Sequence, residues 1–122
     1  MTMTPPKTIA TLFCDGSAMP NPGHAAGAYV LYQNGKVVDG AGIYLGDGIT
    51  NNVAEYASLI VGLQAAAAQG IKAIEIRMDS QLVVEQVNGR WRVKQAELRQ
   101  HHAQVVELLR RFPQWSLTCT AR

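Results

Sequence analysis

Three carboxylates carry the chemistry this sequence offers: Asp15 in Cys14-Asp-Gly-Ser17, Glu55 in Thr50-Asn-Asn-Val-Ala-Glu-Tyr56, and Asp79 in Met78-Asp-Ser80. Each also has a purely structural reading. Asp-Gly opens turns, because Asp bonds its own backbone and Gly accepts positive φ. Asn52 as a helix N-cap would put Glu55 at the third helical position, a near-capping box at the positive end of the helix dipole. Asp79 could cap the helix that Ser80 begins. Taken together they point elsewhere. Three carboxylates at short range repel, and each pKa rises unless a cation sits among them. Hard oxygen donors select Mg²⁺ or Mn²⁺. Two such ions side by side serve in-line phosphoryl displacement, one activating water and the other stabilising the leaving oxygen.

The elements around these residues must bring them together. Ile9 to Phe13 is apolar enough for a buried strand, with Asp15 at its end and a turn-rich loop from Gly16 to Gly23. Gly27 to Tyr32 and Lys36 to Val38 flank Asn34-Gly35, a strong hairpin signal, since both residues tolerate the positive φ of a type I′ turn. A further strand is expected near Gly40 to Leu45. Val53, Tyr56, Ile60 and Leu63 then recur at helical spacing within Val53 to Gln69. Ile71 to Met78 alternates as a strand and ends at Asp79. A short helix, Ser80 to Val87, and a longer one, Lys94 to Phe112 with Leu98, Val105, Leu109 and Phe112 on one stripe, precede a last strand, Trp115 to Thr120. The order β-β-β-α-β-α-α-β predicts a mixed α/β fold with right-handed crossovers. Its first and fourth strands would be parallel, with Asp15 and Asp79 at one sheet edge, where open α/β sheets place their sites.

With 122 residues and 48% hydrophobic content the chain fits one domain, expected over residues 1–122 with residues 1–7 as a flexible lead-in. Composition excludes collagen-like, disordered and disulfide-framework classes. The longest uncharged apolar run is too short for a bilayer, and the N-terminus lacks the apolar core of a signal peptide, so a soluble, cytoplasmic protein with no membrane partner is expected. Cys14 and Cys119 show no metal-ligand spacing and read as free buried thiols. The net charge is only +2, but Arg90, Arg92, Lys94, Arg99, Arg110 and Arg111 make the C-terminal third locally cationic.

Asp15-Gly-Ser with Asn21-Pro-Gly23, Thr50-Asn-Asn with Ala54-Glu-Tyr56, and Asp79-Ser with Gln81-Leu-Val-Val84 together resemble type 1 ribonuclease H, from about residue 9 to residue 122. The resemblance implies an α/β, ribonuclease H-like mixed five-stranded sheet, three antiparallel strands plus two parallel, with flanking helices. It implies endonucleolytic hydrolysis of the RNA strand of RNA:DNA hybrids with two Mg²⁺ ions, for which Mn²⁺ can substitute, leaving 3′-hydroxyl and 5′-phosphate ends. Asp15, Glu55 and Asp79 are by that resemblance both catalytic residues and metal ligands. Gly16, Ser17, Asn21, Thr50, Asn51, Asn52 and Ser80 become candidates for nucleic-acid contact. Of these, Asn21 and Thr50 resemble positions that hold a phosphate of the DNA strand, and the backbone near Gly16 and the amide of Asn52 suit the RNA 2′-hydroxyl.

The sequence also departs from the family pattern. The basic, aromatic-bearing protrusion of larger members is replaced by Val87-Asn-Gly-Arg-Trp-Arg-Val-Lys94, where Arg90, Trp91 and Arg92 can supply part of the grip or Trp91 can simply pack. The fourth family Asp falls beyond Thr120-Ala-Arg122, and His101 and His102 sit mid-helix as surface or packing residues. Three of four carboxylates leave an alternative, a hybrid-binding module with weak or no catalysis, with either a truncated or a naturally short chain behind it. They also predict lower divalent-ion affinity and better support by Mn²⁺ than by Mg²⁺. Without a helix over the last strand, Leu117 is expected to be partly exposed and to favour self-association.

Overall fold

The computed structural model describes residues 9–120; the expectation on residues 1–7 lies outside the described residues. Five strands form one mixed sheet in the order β3-β2-β1-β4-β5. They are β1 (Ala10–Met19), β2 (Gly23–Gln33), β3 (Lys36–Ile49), β4 (Ala73–Met78) and β5 (Gln114–Cys119), with helices α1 (Asn51–Ala68), α2 (Gln81–Val87) and α3 (Ala96–Leu109). β1, β2 and β3 are antiparallel neighbours, whereas β4 runs parallel to β1 and β5 parallel to β4. This is the predicted fold class.

Two strands are longer than their apolar content suggests. β1 does not stop at Phe13; Ser17, Ala18 and Met19 pair with Ala26, Ala25 and His24 of β2, so the expected loop from Gly16 contracts to the turn at Pro20-Asn-Pro22. The period-2 alternation continues in small residues: Leu12, Cys14 and Ala18 are buried while Phe13, Asp15 and Ser17 face out. Likewise Lys36 to Val38 and Gly40 to Leu45 belong to one strand, β3. The turn between β2 and β3 has φ 54° at Asn34 and 74° at Gly35, as a type I′ turn requires.

α1 lies over β1 and β2. Its sheet-facing stripe is built of small residues. Cβ atoms added at Gly16, Gly27 and Gly62 would meet Ala54, Ser58 and the Leu12 and Cys14 side chains, respectively. Such a stripe lets helix and sheet approach closely, at the cost of being invisible to hydrophobic periodicity. The core gathers Leu12, Leu31, Leu59, Leu63, Ile76, Val83, Val105 and Phe112. Leu98, Val105, Leu109 and Phe112 are all buried, as their helical stripe predicts.

Leu117, expected to be partly exposed, is buried at 3% exposure, because α2 packs against β5 and Asn88 Nδ2 donates to the Leu117 carbonyl at 2.9 Å. The case for self-association through Leu117 therefore falls. Both thiols are free, but only Cys14 is buried; Cys119 is exposed at the edge strand's end. Burial pushes the Cys14 thiol well above the ordinary range, so it stays protonated and inert. Among the described residues no helix is long and apolar enough to cross a membrane.

Candidate active site

β1 and β4 pair from Ala10↔Ile74 to Phe13↔Arg77. Asp15 and Asp79 each lie two residues beyond that last pair, where the strands part. A single cleft of about 260 Å³ is lined by both. Asp15 is not in a turn; it stands on the outward face of a paired strand, opposite Ala28 of β2. Nor does Asp79 cap α2. Ser80 is the N-cap, accepting from the Val83 amide at 3.3 Å. Neither of the structural roles suggested for these two residues is the one they play.

Glu55 arrives from α1. Thr50, rather than Asn52, is the N-cap, accepting from the Val53 amide at 3.2 Å, so Glu55 sits past the first turn and closes no capping box. Gly16 decides how near it comes: the α1 backbone at Ala54 passes directly over it, and no side chain would fit between. The half-buried Glu55 carboxyl is raised above its ordinary pKa chiefly by desolvation, opposed by a hydrogen bond with Ser80, and raised further by the charges of Asp79 and Asp15. Glu55 therefore feels the charges of both Asp15 and Asp79. Among the described residues, no three of His, Cys, Asp and Glu form a closed group ready to hold an ion. The donors that converge are all hard oxygens, and their mutual repulsion at Glu55 is what a divalent cation would relieve.

The remaining candidates divide by location. Asn51 Oδ1 accepts from the Ala18 amide at 2.6 Å, and Asn21 Oδ1 accepts from the Asn51 amide at 3.0 Å. These bonds brace the β1–β2 turn against the start of α1 and leave both Nδ2 donors outside the brace. Ser80 joins the carboxylates and Ser17 faces out from β1, whereas Gly16 is buried and acts as a spacer.

Asn52 opens onto a different groove of about 540 Å³, lined also by Leu82, Gln86, Arg90, Trp91, Arg92 and Lys94. Trp91 is 43% exposed there, not packed in the core. Glu85 pairs with Arg90, which holds the Glu85 carboxyl below its usual range.

Sequence reasoning missed what fixes this groove. Tyr56 donates to Gln86 Oε1 at 2.7 Å in the core, and Gln86 Nε2 donates to the Arg92 carbonyl at 3.3 Å. His102 Nε2 lies 3.1 Å from the Gln86 carbonyl, and His101 tilts against Tyr56, so both histidines pack as expected. A glutamine in the apolar run of α2 was the available signal; its partner 30 residues away left none.

A family model described as reverse transcriptase-like matches residues 13–122. Ribonuclease HI of Halobacterium salinarum is 42% identical over 90% of this chain, which spans 55% of that relative's length. The crystal structure of RNase H1 from the same organism superposes with a TM-score of 0.89 at 41% identity, covering 93% of this chain and 86% of that one. LC11-RNase H1, solved in complex with RNA/DNA hybrid, gives 0.85 at 32% identity, covering 93% and 86%. The match runs through the strands and helix that carry Asp15, Glu55 and Asp79, and by it the chain belongs to the type 1 ribonuclease H family.

Proposed function

We propose that this chain hydrolyses the RNA strand of RNA:DNA hybrids endonucleolytically, leaving 3′-hydroxyl and 5′-phosphate ends. The observation that carries the reading is the convergence of Asp15, Glu55 and Asp79 where β1 and β4 part, with Asp15 and Asp79 each raising the pKa of Glu55. Ribonuclease H relatives across most of the chain support the substrate class.

In this reading Asp15, Glu55 and Asp79 hold two divalent ions, Mg²⁺ with Mn²⁺ as substitute. When bound, the ions supply an activated water and charge neutralisation at the leaving oxygen. The protein's own groups do the positioning. Ser80 orients the Glu55 carboxyl through their hydrogen bond, and the Thr50, Asn51 and Asn21 brace fixes the start of α1 relative to Asp15. Ser17 and the Nδ2 donors of Asn51 and Asn52 suit sugar and base-edge contacts on the cut strand, with Asn21 and Thr50 toward a phosphate of the DNA strand. The groove of Arg90, Trp91, Arg92 and Lys94 offers a strand both charge neutralisation and an aromatic surface. The setting is cytoplasmic.

Cleavage of a labelled hybrid in Mg²⁺, in Mn²⁺ and in EDTA tests this, with Asp15→Asn alongside. Metal-dependent cutting of the RNA strand, lost in the variant and absent on duplex DNA at the same salt, is the expected result. Full activity of Asp15→Asn, or equal cleavage of both duplexes, would overturn it. Tight hybrid binding without cleavage would identify a binding module instead.

A further inference from the structure

The outward face of the sheet holds an open trough of about 450 Å³ that starts at Asp15 and leads away from both Glu55 and the cationic groove. Its floor follows from the strand register. Asp15 pairs with Ala28 and Ala28 with Gly42, which forms one row across β1, β2 and β3; Ser17, Ala26 and Tyr44 form the next. The floor is thus nearly without side-chain height, and it ends at a tyrosine that is 64% exposed. Strand spacing and rise place Tyr44 roughly 12 Å from Asp15 at the Cα level, within reach of a few nucleotides of one strand.

Tyr44 is held in place. Beyond it, Gly46 and Gly48 take φ values of 122° and 69°, and Asp47 between them turns back to accept the Tyr44 hydroxyl. The same Asp47 oxygen meets His24 Nδ1 from the neighbouring strand. An exposed aromatic ring therefore has its edge tied by Asp47, which His24 holds in turn, while its surroundings stay low. Unlike the groove at Arg92, the trough has no lysine or arginine in its lining, so what it suits is the uncharged part of a nucleotide, its ribose and base. Sheet faces that carry exposed aromatics bind nucleotides in this way, by stacking.

We propose that this trough seats the cut strand beside the scissile bond, with Ser17 at a ribose and Tyr44 stacking on a base at its far end. The proposal rests on the reading of the chain as a hybrid nuclease, and it adds a contact that sets how much flanking strand the enzyme uses.

The test is steady-state cleavage, in Mn²⁺, of DNA strands carrying one short ribonucleotide block, annealed to complementary DNA. The flank is shortened stepwise on the 5′ side in one series and on the 3′ side in another. Tyr44→Ala should raise KM about fivefold or more on long flanks, with kcat within about twofold of the parent. That defect should vanish as one flank, and only one, is removed. Tyr44→Phe, which keeps the ring but loses its tie to Asp47, should raise KM on long flanks less than Tyr44→Ala does, and the difference should vanish with the same flank. A Tyr44→Ala variant equal to the parent on long flanks overturns the proposal, as does a KM defect that persists unchanged when both flanks are gone. A parent that cuts none of these substrates overturns the nuclease reading itself, and this proposal with it.

Discussion

Gly16 and Ala54 touch backbone to backbone: a Cβ on Gly16 would lie 2.2 Å from the Ala54 carbonyl oxygen and 2.8 Å from the Glu55 amide nitrogen. No rotamer change relieves such a contact, so one of the two elements must move. Gly16→Ala is expected to destabilise the protein by about 2–3 kcal/mol, the upper part of the overpacking range, and to push Glu55 away from Asp15. Gly42→Ala serves as control, since nothing lies within 4 Å of its added Cβ; its effect should stay within about 0.5 kcal/mol. Denaturant melts of the two variants, with hybrid cleavage measured beside them, make the comparison. Equal stability of the two would contradict the account of Gly16 as a spacer.

Glu55 should make the metal-free protein lose stability as pH rises from acid toward neutral. Desolvation first, then Asp79 and Asp15, raise its pKa above 4.5 in the folded state, against the Ser80 hydrogen bond. The folded state therefore holds this proton more tightly than the unfolded state does. The resulting stabilisation is complete below the unfolded pKa and is lost as pH rises through the raised value. In EDTA, thermal melts should show Glu55 lowering stability as pH rises above its ordinary value of 4.5, and Glu55→Gln should remove that part of the decline. Divalent ions should restore stability to the parent at neutral pH and do so less for the variant. A parent and variant with parallel profiles would show that Glu55 feels no such field.

The sequence was informative where local pattern decides structure and silent where distant residues do. The Asn34-Gly35 turn and the α3 stripe were readable because each depends on its own neighbours. Cap positions were not, since Thr50, Asn51 and Asn52 are all good caps in succession, as are Asp79 and Ser80; tertiary packing chose Thr50 and Ser80. The continuation of β1 past Asp15 was hidden by Gly16, Ser17 and Ala18, which alternate in burial without alternating in hydrophobicity. Leu117 was misjudged because covering an edge strand with α2 is a property of the whole fold.

The cationic groove predicts a specific salt response. If Arg92 and Lys94 neutralise phosphates, Arg92→Ala and Lys94→Ala should each flatten the dependence of log K on log salt by about one unit, by loss of counterion release. Hybrid binding measured by fluorescence anisotropy in EDTA at several salt concentrations supplies the slopes. Arg110→Ala and Arg111→Ala, at the end of α3 and outside the groove's lining, should leave the slope unchanged. Identical slopes for all four variants would remove the groove from the binding surface.

Tyr56 links the carboxylate site to that groove, since it follows Glu55 in the chain and holds Gln86, which in turn holds Arg92. Tyr56→Phe leaves Gln86 Oε1 buried without its donor, a loss of about 1–3 kcal/mol. Gln86→Leu should cost more, because it strands both the Tyr56 hydroxyl and the Arg92 carbonyl. Combining Tyr56→Phe with Gln86→Leu removes donor and acceptor together, so the double variant should be more stable than the sum of the two losses predicts. The kinetic consequence separates positioning from chemistry. With Glu55 still anchored by Ser80, Tyr56→Phe should raise KM for hybrid several-fold as the Arg92 segment loosens, while kcat changes less. An additive double variant, or a kcat loss larger than the KM change, would mean that the Tyr56–Gln86 bond does not position the groove.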